Sequence, residues 1–145
     1  MKTLIILFAL AASAADPEPW SVSQVITPAE FAPVVTKKDH PRILYVGFPV
    51  LYRSKHIPDA ELAGPGSKPE GLDLLKKAVE GVPKDQPIVI YCGCCPFGRC
   101  PNMRPAFKQL QAMGFTRVKV LSIPTNFTKD WLDPGYPFEP GSAAK

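Results

Sequence analysis

The chain has 145 residues, a formal net charge of +4, four cysteines, 18 prolines and ten glycines, and 46% of its residues are hydrophobic. Lysine and arginine are scattered rather than gathered in a stripe, which argues against a nucleic-acid partner. The apolar content is too high for a disordered chain, so the prolines and glycines read as stiff loops in an ordered domain.

Lys2, the apolar run over residues 4–12 and the small residues Ala12-Ser13-Ala14 form the pattern of a secretory signal. The run is too short to span a membrane, and no second stretch approaches that length. Cleavage is expected after Ala14, giving a signal over residues 1–14 and a protein that is periplasmic or secreted, with no membrane association once the signal is gone. Loss of Lys2 lowers the formal charge by one, to +3. About 130 residues remain, enough for one domain with a modest core.

Residues 15–23 are expected to be a flexible lead-in. Thr27-Pro28-Ala29-Glu30 is a helix start: a Thr cap, Pro at the first helical position and Glu at the third. That helix is expected to end near Val34. Residues 42–46 (RILYV) read as a strand between Pro41 and Gly47, and residues 48–55 as a loop. Residues 64–69 are turn formers. Residues 71–82 are amphipathic, with Leu72, Leu75 and Val79 opposite Asp73, Lys76, Lys77 and Glu80. Ile88, Val89, Ile90 and Tyr91 then form a run that predicts a fully buried strand.

All four cysteines follow within nine residues, at Cys92, Cys94, Cys95 and Cys100, with Arg99 and Arg104 beside them. Met103, Ala106, Phe107, Leu110 and Met113 recur at helical spacing, and Gly114 is placed to stop that helix. Cys100 could cap it, with Pro101 at its first position. Residues 117–123 predict a strand, and the remainder, with Trp131, a loop-rich end and a flexible tail over residues 139–145. Strands and helices alternate, so the expected fold is α/β, a single domain with a mainly parallel sheet and helices on both faces. Ligands in such sheets bind beyond the carboxyl ends of the strands, where the cysteines lie.

Strand, short loop and helix together aim loop N–H groups and a positive helix end at one spot. A thiol there ionises more easily and can hold an anionic substrate beside it. Structural disulfides normally join segments distant in sequence, where closing a long loop constrains the unfolded chain most. Here the cysteines are at most eight residues apart. A structural zinc site uses two separated pairs such as C-x2-C, and Cys-x-Cys-Cys-x4-Cys does not match. A reactive or soft-metal site is the better reading of the cluster.

Four further landmarks carry a resemblance to the rhodanese-like domains. After the first strand, His56-Ile57-Pro58-Asp59-Ala60 resembles that family's G-H-I-P-G-A. A strand runs straight into a cysteine (IVIYC), a helix ends in Gly114-Phe115-x-x-Val118, and Trp131 with Gly135-Tyr136-Pro137 resembles the closing W…G-x-P. The resemblance spans residues 24–138 and implies a rhodanese-like domain whose cysteine accepts sulfane sulfur as a persulfide. Tyr45 stands where the family has Asp, and Gly47 where it has Arg. The cysteine loop is longer, the family's Cys-x4-Arg spacing is met by Cys94 and Arg99, and Pro124-Thr125-Asn126-Phe127 replaces the usual Gly-Gly.

Cys92 is the first choice for the nucleophile and Cys94 the second, with Cys95 and Cys100 as resolving or redox partners. Gly93, Phe97, Gly98, Arg99 and Arg104 are the candidate substrate-binding residues. His56 reads as structural. The implied function is sulfur transfer from a small anionic donor to a thiol acceptor, a periplasmic thiol protein among them, without a cofactor. The alternative is a periplasmic thiol–disulfide or Cu(I)-binding module in which Cys92, Cys94, Cys95 and Cys100 hold the metal.

Overall fold

The computed structural model describes residues 17–141, so the secretory signal expected over residues 1–14 lies outside the described residues. Among the described residues are seven strands: β1 (Val25–Ile26), β2 (Arg42–Tyr45), β3 (Lys55–His56), β4 (Glu61–Leu62), β5 (Ile88–Tyr91), β6 (Val118–Leu121) and β7 (Glu139–Pro140). Four α-helices accompany them: α1 (Pro28–Phe31), α2 (Pro49–Ser54), α3 (Pro69–Ala78) and α4 (Met103–Ala112). Five strands form one parallel sheet in the order β1-β6-β5-β2-β4, and β3 pairs with β7 in a small antiparallel ladder. This is the expected α/β architecture.

β5 is the middle strand and all four of its residues are buried. Alternate side chains point to opposite faces, as the two-residue period of a strand requires. Ile88 and Ile90 join Leu44, Val118 and Val120 beneath α3 and α4, through Leu75, Phe107 and Leu110. Val89 and Tyr91 join Ile43, Tyr45 and Leu121 on the other face, under Phe31, Ile57 and Trp131. A strand covered on both faces is therefore a continuous apolar run. The register sets Arg42 level with Ile88 and Tyr45 level with Tyr91, so β2 and β5 end at the same edge. Cys92 is the next residue along that edge.

The Thr27 cap is present: its side chain accepts from the Glu30 N–H while Glu30 reaches back to the Thr27 N–H. The helix stops at Phe31 rather than near Val34; Pro33, with no N–H to donate, comes just after the Ala32 cap. The loop expected over residues 48–55 is instead mostly helix α2, which Pro49 opens at its first position.

Both ends of the domain reach further than expected. The lead-in holds a short helical turn (Val22–Gln24), and Trp20 is buried against Phe97 and Phe107 at ring separations of 5.3 and 5.5 Å. Residues 139–140, placed in the tail, pair with β3. Near them, Trp131 is fully buried on a turn whose Asp133 N–H donates to the Thr128 carbonyl. No helix among the described residues is long and apolar enough to cross a membrane.

A four-thiol candidate active site at the end of the central strand

The loop from Cys92 to Asn102 is pinned at three points. The Phe97 N–H donates to the Ile123 carbonyl at 3.0 Å, the Phe127 N–H donates to the Gly93 carbonyl at 2.9 Å, and the Phe97 ring rests on Trp20. Gly93 has φ of 76°, and a Cβ there would lie 2.9 Å from that of Phe127, so the first turn after the strand requires glycine. The loop folds back on itself and gathers the sulfurs. Cys92 and Cys94 Sγ are 3.0 Å apart, Cys94 and Cys95 Sγ 3.3 Å, and those of Cys92, Cys94 and Cys100 all lie within 4.8 Å of one another. All four cysteines are free thiols; Cys92 and Cys100 are buried, Cys94 and Cys95 half-buried.

Asn102 is a central member that sequence reasoning missed. It occupies the cap position of α4 and is fully buried, but its side chain caps nothing. Instead Oδ1 accepts the Ser67 N–H at 3.0 Å, while Nδ2 points at the Cys92 and Cys94 sulfurs at 3.4 and 3.9 Å. The backbone N–H groups of Asn102 and Met103 at the helix start help to lower the pKa of the Cys100 thiol. Cys100 is not the cap expected of it: Asn102 holds the cap position and α4 begins at Met103, not at Pro101. The one signal available was an Asn heading a predicted helix after Cys-Pro, which reads as an ordinary cap.

The thiols share one negative charge unequally. Cys100 is held well below the ordinary thiol range, first by its contacts with Cys92 and Cys94 and then by the two helix amides, against its burial. Cys92 is pushed up to about 12, chiefly because it gives up its charge to Cys100, and by burial; its contacts with Cys94 and the Cys94 amide oppose this. Cys94 is raised by Cys100 and Cys92, and Cys95 up to about 12 by burial and by Cys94. Contacts with the Cys92 and Cys94 sulfurs, more than the helix amides, hold Cys100 low.

Tyr45 and Gly47, the departures from the family pattern, shape the approach to Cys92. A Cβ on Gly47 would lie 2.5 Å from the Tyr45 hydroxyl and 2.8 Å from the Cys92 sulfur, so glycine leaves the gap that both fill. The Tyr45 hydroxyl donates to the Phe48 carbonyl at 3.0 Å, and burial together with the neighbouring thiols raises its pKa. Above them opens a cleft of about 520 Å³, with Cys92, Gly93 and Cys94 on its floor, Tyr45 and Leu51 on one wall, and Asn126, Phe127 and Lys129 on the other. Lys55 also lines it. A cavity of similar size, about 470 Å³, opens near the opposite ends of the strands, beside Gln24, Pro87 and Arg117, away from the cysteines.

The structure brings together Cys92, Gly93, Cys94, Cys95, Phe97 and Cys100 from the expected set, and separates the others. Arg99 is exposed and does not line the cleft. Arg104 is committed elsewhere: it pairs with Glu18, donates to the Gly98 carbonyl at 3.1 Å and the Cys100 carbonyl at 3.5 Å, and lies over Trp20. It braces the loop rather than facing an anion. Gly98 is exposed and contributes its carbonyl to that brace. The partner sulfur nearest Cys92 is that of Cys94, nominated as an alternative nucleophile. His56 is buried, stacks on Tyr52 at 4.1 Å and contacts the Tyr52 carbonyl at 2.9 Å, in the structural role expected of it.

No protein-family model matches the chain, and no curated protein sequence does. Solved structures do match. The Alr3790 protein from Anabaena sp. aligns over 81% of this chain and 94% of its own, with a TM-score of 0.61 at 19% identity. A Rhodanese_3-like domain of the same protein aligns over 72% and 97%, with a TM-score of 0.55 at 22% identity. A rhodanese-like domain protein from Staphylococcus aureus aligns over 79% and 96%, with a TM-score of 0.53 at 18% identity. The fold is rhodanese-like. The same rhodanese-like body matches part of an anaerobic ergothioneine biosynthesis enzyme from Chlorobium limicola, solved with trimethyl histidine, at a TM-score of 0.59 and 17% identity. This chain spans 28% of that enzyme's length.

Proposed function

We propose that the protein is an exported sulfurtransferase in which Cys92 accepts sulfane sulfur from a small anionic donor and passes it to a thiol. The observation that carries this reading is the position of Cys92: it follows the central strand directly and lines the cleft, with the Cys94 and Cys100 sulfurs within 4.8 Å of its own. Export rests on the signal pattern over residues 1–14.

In the first step the Cys92 thiol loses its proton to solvent through the cleft, and the Cys92 thiolate attacks the outer sulfur of a thiosulfate-like donor. A new S–S bond forms, the donor's S–S bond breaks, and its electron pair leaves with sulfite. The Cys94 N–H and the Asn102 side-chain amide face the Cys92 sulfur and stabilise negative charge there. Lys55 and Lys129 supply positive charge in the cleft to receive the anion. In the second step an acceptor thiolate, small or on a periplasmic thiol protein, attacks the outer persulfide sulfur. The electron pair of the broken bond returns to Cys92.

Sulfite release from thiosulfate with a thiol acceptor tests the reading. Wild type should turn over, Cys92→Ser should lose activity by on the order of a thousandfold or more, and Cys94→Ser should retain part of it. A Cys92→Ser protein with full activity would rule the assignment out. N-terminal sequencing of exported protein should begin near Ala15, whereas a retained Met1 would contradict export.

A further inference from the structure

Sulfur transfer needs one thiol, and this loop assembles four. We propose that Cys92, Cys94 and Cys100 are the ligands of a single three-coordinate Cu(I) ion, at a site that does not depend on the sulfur-transfer reading. Among the described residues they are the group of three metal-ligating side chains whose donor atoms all converge within 4.8 Å. An ion about 2.3 Å from each sulfur, the usual metal–thiolate length, needs sulfurs about 4 Å apart in a triangle. Cys92 and Cys94 are 3.0 Å apart and all three sulfurs lie within 4.8 Å of one another, so opening the Cys92–Cys94 edge by about an ångström brings the group to that triangle.

The surroundings select the metal. Zinc in a structural site takes four ligands, and here the nearest fourth thiol, Cys95, touches Cys94 at 3.3 Å but stands outside the converging group. The side of the triangle facing Asn102 presents an amide Nδ2, a hydrogen-bond donor that cannot ligate; the one oxygen that could is taken by the Ser67 N–H. Three soft donors with a donor group against the fourth position suit Cu(I), which soft thiolates select, over Zn(II). The Asn102 side-chain amide bridges the Cys92 and Cys94 sulfurs and meets part of the negative charge of three thiolates. Cys92 and Cys100 are buried, while half-buried Cys94 opens on the cleft and gives the ion a way in.

The test is an anaerobic titration of the reduced mature protein with Cu(I), in competition with a chromophoric Cu(I) chelator and followed also by thiolate-to-copper ultraviolet absorption. One ion per chain is expected. Cys94→Ser and Cys100→Ser should each weaken binding on the order of a hundredfold or more, and Asn102→Ala about tenfold. Cys95→Ser should change it by less than about threefold, because that sulfur is not a ligand. Metal-free melting curves identify any variant that fails to fold, and Cys94→Ser, outside the core, keeps the test decisive if Cys100→Ser does not fold. A loss with Cys95→Ser equal to that with Cys94→Ser would overturn the proposal, as would displacement of Cu(I) by equimolar Zn(II) or a stoichiometry of several copper ions. Loading should also stop sulfite release, since Cys92 is shared. Tight Cu(I) binding by a protein with no sulfurtransferase activity would leave this site standing and remove the other reading.

Discussion

Around Cys92 the positioning is done by Tyr45, Gly47, Asn102 and Arg104, and the reason for each is of a kind that a sequence pattern conveys poorly. Gly47 and Tyr45 stood out as departures from the rhodanese-like pattern, but the reason, a gap filled by a phenol and a sulfur, lies in contacts between two strand ends. Asn102 gave no signal because its side chain turns away from the backbone it would ordinarily cap. Arg104 was misplaced for the opposite reason: a cation near a cysteine loop suggests an anion, yet Glu18, 86 residues earlier, takes it. Replacing Asn102 by Ala removes the partner of the Ser67 N–H and leaves a cavity among the sulfurs. It should lower stability by about 1–3 kcal/mol, read by urea unfolding. A loss below the error of that measurement would show that the Asn102 bonds are not part of the fold's framework.

The thiols also make a pH prediction. Cys92, whose folded pKa is raised to about 12, contributes stability that is full below the unfolded thiol value and is lost as pH climbs towards 12. Over that window the unfolded chain releases a proton that the fold retains, so each such thiol costs about 1.4 kcal/mol per pH unit. Cys100, with its pKa lowered, acts in the other direction: its contribution is full above the unfolded thiol value and disappears as pH falls through the folded one. Melting temperature should therefore fall above about pH 9, the ordinary thiol range, and fall less steeply in Cys92→Ser. Equal slopes in the two proteins would mean that Cys92 ionises as freely in the fold as outside it.

At the scale of elements, regular periodicity was legible and short or irregular structure was not. β5, α3 and α4 followed from buried runs and helical spacing, and Gly114 ends α4 with φ of 89°. Helix α2 has six residues, fewer than two turns, too few to show a period, so Pro49 looked like a loop residue rather than a first helical position. The lead-in was misjudged because Trp20, between Pro19 and Ser21, has no periodic neighbours; its partners Phe97 and Phe107 are supplied by the cysteine loop and α4. Trp20→Ala should cost about 3–5 kcal/mol and loosen that loop, visible as faster amide exchange at the head of α4. Glu18→Gln, which removes one half-exposed partner of Arg104, should cost under about 1 kcal/mol. Trp20→Ala with no more effect than Glu18→Gln would show that the lead-in is not part of the packed body.

For the molecule as a whole, alternation of strands and helices was enough to give a parallel sheet with both faces covered, and the cysteines fell at its carboxyl edge. What the sequence did not show was which cations face the cleft. Lys55 and Lys129 lie far from the cysteines in the chain, and only the return of the chain after β6 and the β3–β7 ladder bring them to it. Sulfate should raise the melting temperature by mass action. Lys129→Ala and Lys55→Ala should each diminish that shift, and added sodium chloride should screen it. Arg99→Ala should leave it nearly unchanged, and a larger loss with Arg99→Ala would place the anion on the loop's outer surface.

The central claim is that Cys92 carries the transferred sulfur. Intact mass spectrometry of the reduced, metal-free protein after exposure to thiosulfate, with peptide mapping of the adduct, addresses it directly. Wild type should gain one sulfur atom on Cys92, Cys92→Ser should gain none, and Cys95→Ser should behave as wild type. An added sulfur found on Cys94 or Cys100, or retained in Cys92→Ser, would contradict the account.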